Sequence, residues 1–395
     1  MVFVRKPGGR GVLRPRFPSL AAREGVGVDS ILAAFADGTD GLYFDFSKTD
    51  QLFQTVNGGA AADGAGENIA LALEGHAWAA RTYAQQMAQQ AELVANGTFD
   101  SNTTGWSQAG PGSFAWDPSG AIACSDVAGG DCNAQTPFTS VVGRRYRFAW
   151  KVRASNGGYL TRIRNSTDYQ SAFTVAITGD FEAVFAASTT TNTVNLLAAD
   201  TNTTTVFDDI SVKEIVGSHG SQATTAAQPK YQTGDVARFD GSDDNLLTTK
   251  IAAATGYIMA RSMPTSGAAL QVLVGAVGAS GTDRIYLGVD ASNQAVCRIG
   301  NGAALAGAVS IAGVDGTIGV RWNGTTVDLL VNGVVVATQA QVGLPTTTRP
   351  LRVGAYNSNG TAANFFTGDV WDVIEADKAL TDAAALSIHN QLMAA

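Results

Sequence analysis

Hydrophobic and polar residues alternate over short stretches through most of this chain, which is the pattern of half-buried β-strands. In the stretch 146–152, YRFAWKV, the aromatic residues Tyr146, Phe148 and Trp150 fall on one face and basic residues fall on the other. Turn sequences such as NG, GG and PSG separate these stretches. The pattern predicts an all-β protein built from antiparallel β-sandwiches, or jelly rolls.

Helical periodicity is confined to a few segments. VDSILAAFA at 28–36 predicts a short helix, and LTDAAALSIHNQLMAA at the C-terminus predicts another, with Thr381 or Asp382 as its N-cap. The longest helical signal lies at 70–93, although its opening IALALE alternates as a strand does. One or two short helices are therefore expected beside the sandwiches.

Charge is distributed unevenly along the chain. The whole chain carries −8, whereas residues 1–30 carry six basic and two acidic side chains, a net of +4, which leaves −12 for the rest. The acidic body argues against nucleic-acid binding. The basic N-terminus is suited to docking on an acidic protein surface, and the alternative is a solvated, poorly ordered terminus.

Two absences in the sequence bear on localisation. No apolar run approaches the roughly 20 residues that span a bilayer, so membrane insertion is not expected. The N-terminus has positive charge without the apolar core of a Sec-type signal peptide. We therefore expect assembly in the cytoplasm of the producing cell, followed by release in a particle.

The three cysteines do not have the spacing of a metal site. Cys124 and Cys132 flank the loop SDVAGGD, and they are either a disulfide or two free thiols. Cys297 alternates with apolar neighbours in NQAVCRIG, which predicts a small core residue.

The C-terminal part of the chain resembles a known family of sandwiches. ARFDGSDDNL at 237–246, the paired hairpins of RWNGTTVDLLVNG, LRVGAYN and FTGDVWDVIEADKALTDAAALSIHNQL follow the order of the concanavalin A-like, laminin-G-like domains of phage and secreted bacterial proteins. The resemblance covers residues 234–394 and implies a lectin-like sandwich.

The start of this domain is found far upstream. GLYFDF and QLFQ at 40–54, followed by GSHGSQATTAAQPKY at 217–231, resemble the opening of the same family in phage structural proteins. Between them, LVANGTFD, TGW and VFDDISVKEI resemble the start and the end of a carbohydrate-binding jelly roll of the family 4/9/22 type. The predicted organisation is a docking arm at 1–39, a discontinuous lectin-like domain at 40–91 and 216–395, and an inserted jelly roll at 92–215.

Sugar binding needs aromatic faces for the C–H side of a pyranose, with amides and charges for its hydroxyls. In the inserted module, Trp106 and Trp150 are expected in the core. Other residues lie in polar or Gly-rich context and are the candidate glycan-binding residues. They are Trp116, Tyr159, Arg162, Asn165 and Tyr169.

The resemblance to these jelly rolls also implies a structural Ca²⁺ that joins the first and last strands. The candidate ligands are Asn96, Asp100, Asp208 and Asp209, because a hard cation needs clustered oxygens. The alternative is that the last two aspartates only solvate a strand edge. DGSDD at 240–244 is a weaker candidate, equally well read as a turn.

The sequence does not predict an enzyme. DVWDVIEAD at 369–377 is superficially similar to the catalytic strand of laminarinases, but the family pattern places its Val370 and Val373 in the core. His76, His219 and His389 have no nearby nucleophile motif.

The predicted function is that of a virion-associated receptor-binding protein, a tail fibre, spike or head fibre that binds host cell-surface polysaccharide. Its other expected partners are virion proteins of the capsid, portal vertex or tail, contacted through the arm, and further copies in a homo-oligomer. A structural decoration protein and a secreted glycan hydrolase or its binding appendage are the alternatives.

Overall fold

The computed structural model describes residues 31, 34–35, 39–54, 61–73, 83–127, 132–164, 169–175, 178–278, 284–343, 349–358 and 360–394, with the backbone alone at 83, 85 and 169–175. The structure is 53% strand and 8% helix, which confirms the predicted all-β class. It divides into two compact units. Ala84–Val216 forms the first, which we call the jelly-roll unit, and the described parts of Pro15–Val56, Ala61–Tyr83 and Gly217–Ala395 form the second, which we call the split unit.

After Ile31, the described chain forms three strands of the split unit and then enters the jelly-roll unit. The three are β1 (Gly41–Asp45), β2 (Leu52–Phe53) and β3 (Leu71–Ala72). Helix α1 (Tyr83–Gln89) follows, so the segment 70–93 is strand at its start and helix near its end. The expected start of the inserted module, at residue 92, lies eight residues after the boundary at Ala84.

Ten strands form the jelly-roll unit. They are β4 (Ser107–Ala109), β5 (Ser113–Asp117), β6 (Ala121–Ser125), β7 (Cys132–Thr139), β8 (Arg145–Ser155), β9 (Tyr159–Arg164), β10 (Tyr169–Val175), β11 (Gly179–Ala186), β12 (Thr191–Ala198) and β13 (Thr204–Ile215). They make two antiparallel five-stranded sheets, in the orders β10-β9-β12-β7-β4 and β11-β8-β13-β6-β5.

Alternating side chains from both sheets fill the core between them. Trp106 and Trp150 are buried there, as predicted, and the ring of Trp150 stacks 4.7 Å from that of Phe148. Cys124 and Cys132 are buried free thiols, so they do not form the disulfide that the sequence left open. Burial raises the pKa of the Cys124 thiol well above its usual range.

The split unit resumes after the jelly-roll unit with sixteen further strands. They are β14 (Gly220–Ser221), β15 (Lys230–Gln232), β16 (Val236–Asp240), β17 (Leu246–Leu247), β18 (Gly256–Pro264), β19 (Gln271–Val277), β20 (Arg284–Val289), β21 (Gln294–Gly300), β22 (Leu305–Ser310), β23 (Gly316–Trp322), β24 (Thr326–Val331), β25 (Val334–Ala340), β26 (Arg352–Val353), β27 (Tyr356–Ser358), β28 (Thr361–Ala363) and β29 (Thr367–Ala376). Helix α2 (Asp382–Met393) ends the described chain, and 3₁₀ turns occupy Thr49–Gln51 and Thr225–Ala227.

These strands form two sheets around one core. One has eight strands in the order β15-β16-β29-β18-β23-β24-β25, with β1 also paired to β29. The other has eleven, in the order β2-β3-β14-β17-β26-β19-β20-β21-β22, with β27 and β28 attached beside β19. Strand β1 pairs antiparallel along β29 from Gly41–Ala376 to Asp45–Asp372, so residues distant in sequence share one sheet. Cys297 is buried in this core, as predicted.

The N-terminal arm was predicted too long. Ile31 and Ala34 are helical and buried, at 5% and 2% exposure, against the outer face of the eight-stranded sheet and helix α2. The amide of Ile31 also donates to Gln391 Oε1 at 3.1 Å. Apolar residues of the predicted 28–36 helix therefore belong to the split unit, and residues 1–30 lie outside the described chain. None of the described helices has the length and apolarity to cross a bilayer.

Candidate functional site

The five predicted glycan-binding residues do not form one site. Tyr159 is fully buried in the jelly-roll core, where its ring meets Phe207 edge-on at 5.5 Å, and burial raises the pKa of its hydroxyl. The prediction that Tyr159 is a sugar platform is therefore wrong. The Gly-rich context that suggested exposure marks the turn before β9, while Tyr159 itself points into the sandwich.

Trp116 lies on a different sheet from Tyr159, Arg162 and Tyr169. It is 39% exposed on β5, an edge strand, and its indole Nε1 donates to the carbonyl of Phe99 at 2.7 Å. Phe114, two residues away on the same face, packs against the core. Trp116 therefore covers an edge of the core and lies on the opposite sheet from Arg162.

Arg162 lies on the outer face of the β10-β9-β12-β7-β4 sheet. In β9, Tyr159, Thr161 and Ile163 are buried, so the intervening Arg162 faces outward and is half-buried. The odd-even alternation of a strand places Tyr159 and Arg162 on opposite faces. Asn165 lies outside the described residues, and Tyr169 is described by its backbone alone, which pairs with Arg164.

A row of polar side chains crosses four strands of this face. The strand register places Ser107, Gln135, Asn195 and Arg162 opposite one another on β4, β7, β12 and β9. Asn133 lies one step along β7 on the same face. We call these five residues the amide face. Carboxamides, a hydroxyl and a guanidinium offer both donors and acceptors in one line.

Asn195 is the centre of the amide face. Its Nδ2 donates to Asn133 Oδ1 at 2.8 Å and to Gln135 Oε1 at 3.3 Å. Its side chain is fully buried, and Oδ1 has no hydrogen-bond partner among the described residues. Asn195 therefore holds the two amides of β7 in place from beneath the surface of the sheet.

The sequence contained a weak signal for the amide face. In CNAQTPFT the amides Asn133 and Gln135 alternate with buried Cys132 and Ala134, which predicts their outward orientation. The signal was missed because single-sequence reasoning favours aromatic residues. The alignment of Asn195 with Gln135 depends on the register of two strands far apart in sequence.

The predicted calcium ligands do not come together. The Arg153 guanidinium holds the Asp208 carboxylate, with Nε 2.8 Å from Oδ2, while Asp209 faces Lys151 Nζ at 3.6 Å. Asp100 accepts from its neighbour Thr98, and the Asn96 amide donates to loop carbonyls. Asp208 Oδ1 has no hydrogen-bond partner, but Arg153 already neutralises that carboxylate. These four residues therefore do not fit a shared cation.

One group of three acidic side chains in the described chain has its ligand atoms within 4.8 Å of one another. It is formed by Asp240, Asp243 and Asp244, at the weaker predicted calcium position. Asp244 Oδ2 accepts from the Asp240 amide at 2.8 Å. Burial, with added repulsion from its two acidic neighbours, raises the pKa of Asp244 to about 7. Asp240 Oδ1 accepts from the Ser242 amide, which is the geometry of an aspartate turn.

The carboxylates of β29 each have a structural partner. Asp369 binds Arg238 with two bonds of 2.7 Å, and Asp372 accepts from the Tyr43 hydroxyl at 3.0 Å. Glu375 is fully buried 3.7 Å from Lys250, and burial raises its pKa well above the usual range. Val370 and Val373 lie in the core. This strand joins the sheet together and does not present an acid and a nucleophile across a cleft.

No protein-family model matches the sequence, and no curated protein matches it. The solved structures that resemble it include a CBM40 domain of a Ruminococcus gnavus sialidase bound to α2,3-sialyllactose, at 19% identity, covering 35% of this chain and 83% of that one with a TM-score of 0.31.

Two further solved structures have similar values. A heptameric pentraxin from Limulus polyphemus is 14% identical over 38% of this chain and 80% of its own, with a TM-score of 0.33. A CBM4 domain is 16% identical over 31% of this chain and 99% of its own, with a TM-score of 0.26. Each of these similarities covers about a third of this chain, and none identifies a ligand for it.

Proposed function

We propose that this protein is a virion-associated receptor-binding protein, a tail fibre, spike or head fibre, that holds host cell-surface polysaccharide on the amide face of its jelly-roll unit. The observation that carries the proposal is the amide face, a polar row whose other four side chains are at least partly exposed around the buried Asn195. These exposed donors and acceptors are available to sugar hydroxyls, and Asn195, which is closed to solvent, orients Asn133 and Gln135 through its Nδ2.

The dimensions of the amide face suit a glycan chain. Adjacent strands lie about 4.8 Å apart, so a row over four strands spans about 14 Å, more than a single pyranose ring. Amides and a guanidinium bind vicinal hydroxyls in pairs, which gives direction and selectivity. Among the described outer-face side chains of β4, β7, β9 and β12 none is aromatic. Tyr169, on the neighbouring strand β10, stays our candidate for a stacking platform.

We propose that the protein binds glycan without catalysis and without Ca²⁺. The β29 carboxylates are engaged in structural pairs, and Arg153 compensates Asp208. Assembly into a virion is proposed from the resemblance of residues 40–54 and 217–231 to phage structural proteins and from the net +4 charge of residues 1–30. Deleting residues 1–30 should abolish incorporation into particles while the purified variant keeps its melting temperature.

A decoration protein without glycan binding is the second candidate. The burial of Tyr159 and the position of Trp116 favour it, because both aromatic residues are engaged in the packing of the jelly-roll unit. In that case the sandwiches only stabilise the particle.

A glycan array and a host-cell attachment assay on the full-length protein test the proposal. Asn195→Leu, which keeps the number and branching of the side-chain heavy atoms, and Gln135→Ala should both weaken binding. Lys151→Gln is the control, since Lys151 lies on the outer face of the opposite sheet. Binding by no glycan, with the protein folded and multimeric, would favour the decoration protein.

A further inference from the structure

The exposed apolar side chains of the split unit gather at one lateral edge. Among its described residues seven large hydrophobic side chains are exposed, and six lie around strands β22 and β25. They are Val309, Val314, Val334, Val336, Val342 and Leu386. Ile251 is the exception.

Strands β22 and β25 end their respective sheets on the same side of the sandwich. The Gln339 amide on β25 donates to the carbonyl of Ala303, just before β22, at 2.9 Å. A Cβ atom built on Gly307 of β22 would lie 3.7 Å from Val336 Cγ2. Leu386 of α2 packs beside Gly333, at the turn before β25. The two edges and the helix therefore form one surface, which we call the valine edge.

The strand segments of the valine edge carry no charge. Residues 299–314 and 329–348 contain no Asp, Glu, Lys, Arg or His, in a chain with 26 basic and 34 acidic residues. Proteins usually protect exposed edge strands with charged side chains. Clustered apolar residues on a soluble protein mark an interaction surface.

The geometry of the edge determines how a partner can bind. Both edge strands pair irregularly with their inner neighbours. The register of β25 against β24 shifts between Leu329 and Leu330, and the register of β22 against β21 shifts between Gln294 and Val296. Such bulges interrupt the ladder and disfavour the addition of a further strand. A partner therefore binds through packing of side chains.

We propose that the valine edge is the contact between two copies of this chain, related by a two-fold axis. Each copy carries −8, so like-charge repulsion opposes the approach of most surfaces. The uncharged strands of the valine edge are where two identical surfaces meet without that repulsion. A two-fold axis brings the same patch of both copies together, and it pairs two glycan-binding faces in one particle component.

The test is the mass of the full-length protein in solution, measured by light scattering and sedimentation velocity. The wild type should have twice the 40.7 kDa of one chain, and Val336→Lys or Val309→Lys should return it to 40.7 kDa. The control is Val142→Lys, since Val142 is 55% exposed in the jelly-roll unit. A monomeric wild type at its highest soluble concentration, or a dimer that persists in both lysine variants, overturns the proposal.

Cross-linking gives a readout that does not depend on the lysine variants folding. Val336→Cys should form a disulfide-linked dimer under mild oxidation, because the axis brings the same surface of both copies together. Val142→Cys should give no disulfide-linked dimer, and the three native cysteines are buried. Equal cross-linking at both positions would show random collision and contradict a specific contact.

Discussion

At the residue scale, Tyr159 and Arg162 show how the alternation of side chains along a strand decides which residue packs in the core and which faces outward. Tyr159→Ala should lower the free energy of unfolding by about 3–5 kcal/mol, because it removes a buried ring from a closed core. Tyr159→Phe keeps the ring and should lose much less. Chemical denaturation measures both variants. Wild-type stability in Tyr159→Ala would show that the ring is exposed.

Asp244 should make the stability of the split unit depend on pH. Its pKa is raised to about 7 in the folded state, above the 3.8 of an ordinary aspartate, so the folded state holds the extra proton between these values. Stability should therefore fall as pH rises from about 4 to 7. Asp244→Asn keeps an acceptor for the Asp240 amide and removes this dependence.

The expected gain for Asp244→Asn at pH 8 is on the order of 2 kcal/mol relative to wild type, shrinking towards zero at pH 4. Denaturant unfolding across this pH range measures it. The control is Asp180→Asn, an exposed aspartate of β11. Parallel pH profiles for wild type and Asp244→Asn would contradict the raised pKa.

Burial was easier to predict than binding at this scale. The core positions of Trp150 and Cys297 follow from alternation, that of Trp106 follows from the usual composition of sandwich cores, and the structure confirms all three. Asn195 could not be identified in advance, because its importance depends on Gln135 lying beside it across two strands that are separated by about 60 residues.

At the element scale, the segment before β1 is part of the fold. Removing residues 1–38 takes away the buried Ile31 and Ala34 and should cost about 2–4 kcal/mol of stability. Removing residues 1–30 keeps both contacts and should cost little. Thermal unfolding of the two truncations separates them. Equal melting temperatures would place Ile31 and Ala34 outside the core.

Element types could be predicted well and element partners poorly. Alternation predicted strands at 40–54, and the structure has β1 and β2 there. The helical signal at 70–93 was partly misleading, because Leu71–Ala72 folds as strand β3 and only Tyr83–Gln89 is described as helix. Tertiary pairing decided between the two, since β3 pairs with β14 nearly 150 residues later.

At the scale of the whole molecule, the jelly-roll unit should be removable. The amide of Leu93 donates to the carbonyl of Val212 at 3.0 Å, so the two ends of the inserted module lie side by side. A variant in which a short Gly/Ser linker replaces residues 94–215 should fold with the pairing of β1 and β29 intact. If it is insoluble while residues 234–395 fold well alone, the discontinuous domain is wrong.

The most direct test of the central claim is the affinity of the full-length protein for the polysaccharide that the array identifies. We expect Gln135→Ala to weaken the Kd by about 2–10-fold, since each hydrogen bond contributes about 0.5–1.5 kcal/mol. Asn195→Leu, which removes the hydrogen bonds that hold Asn133 and Gln135, should weaken the Kd by a similar or larger factor with little change in melting temperature, and Lys151→Gln should match wild type. Unchanged affinity in the two amide-face variants, both folded, would contradict the amide face as the glycan site.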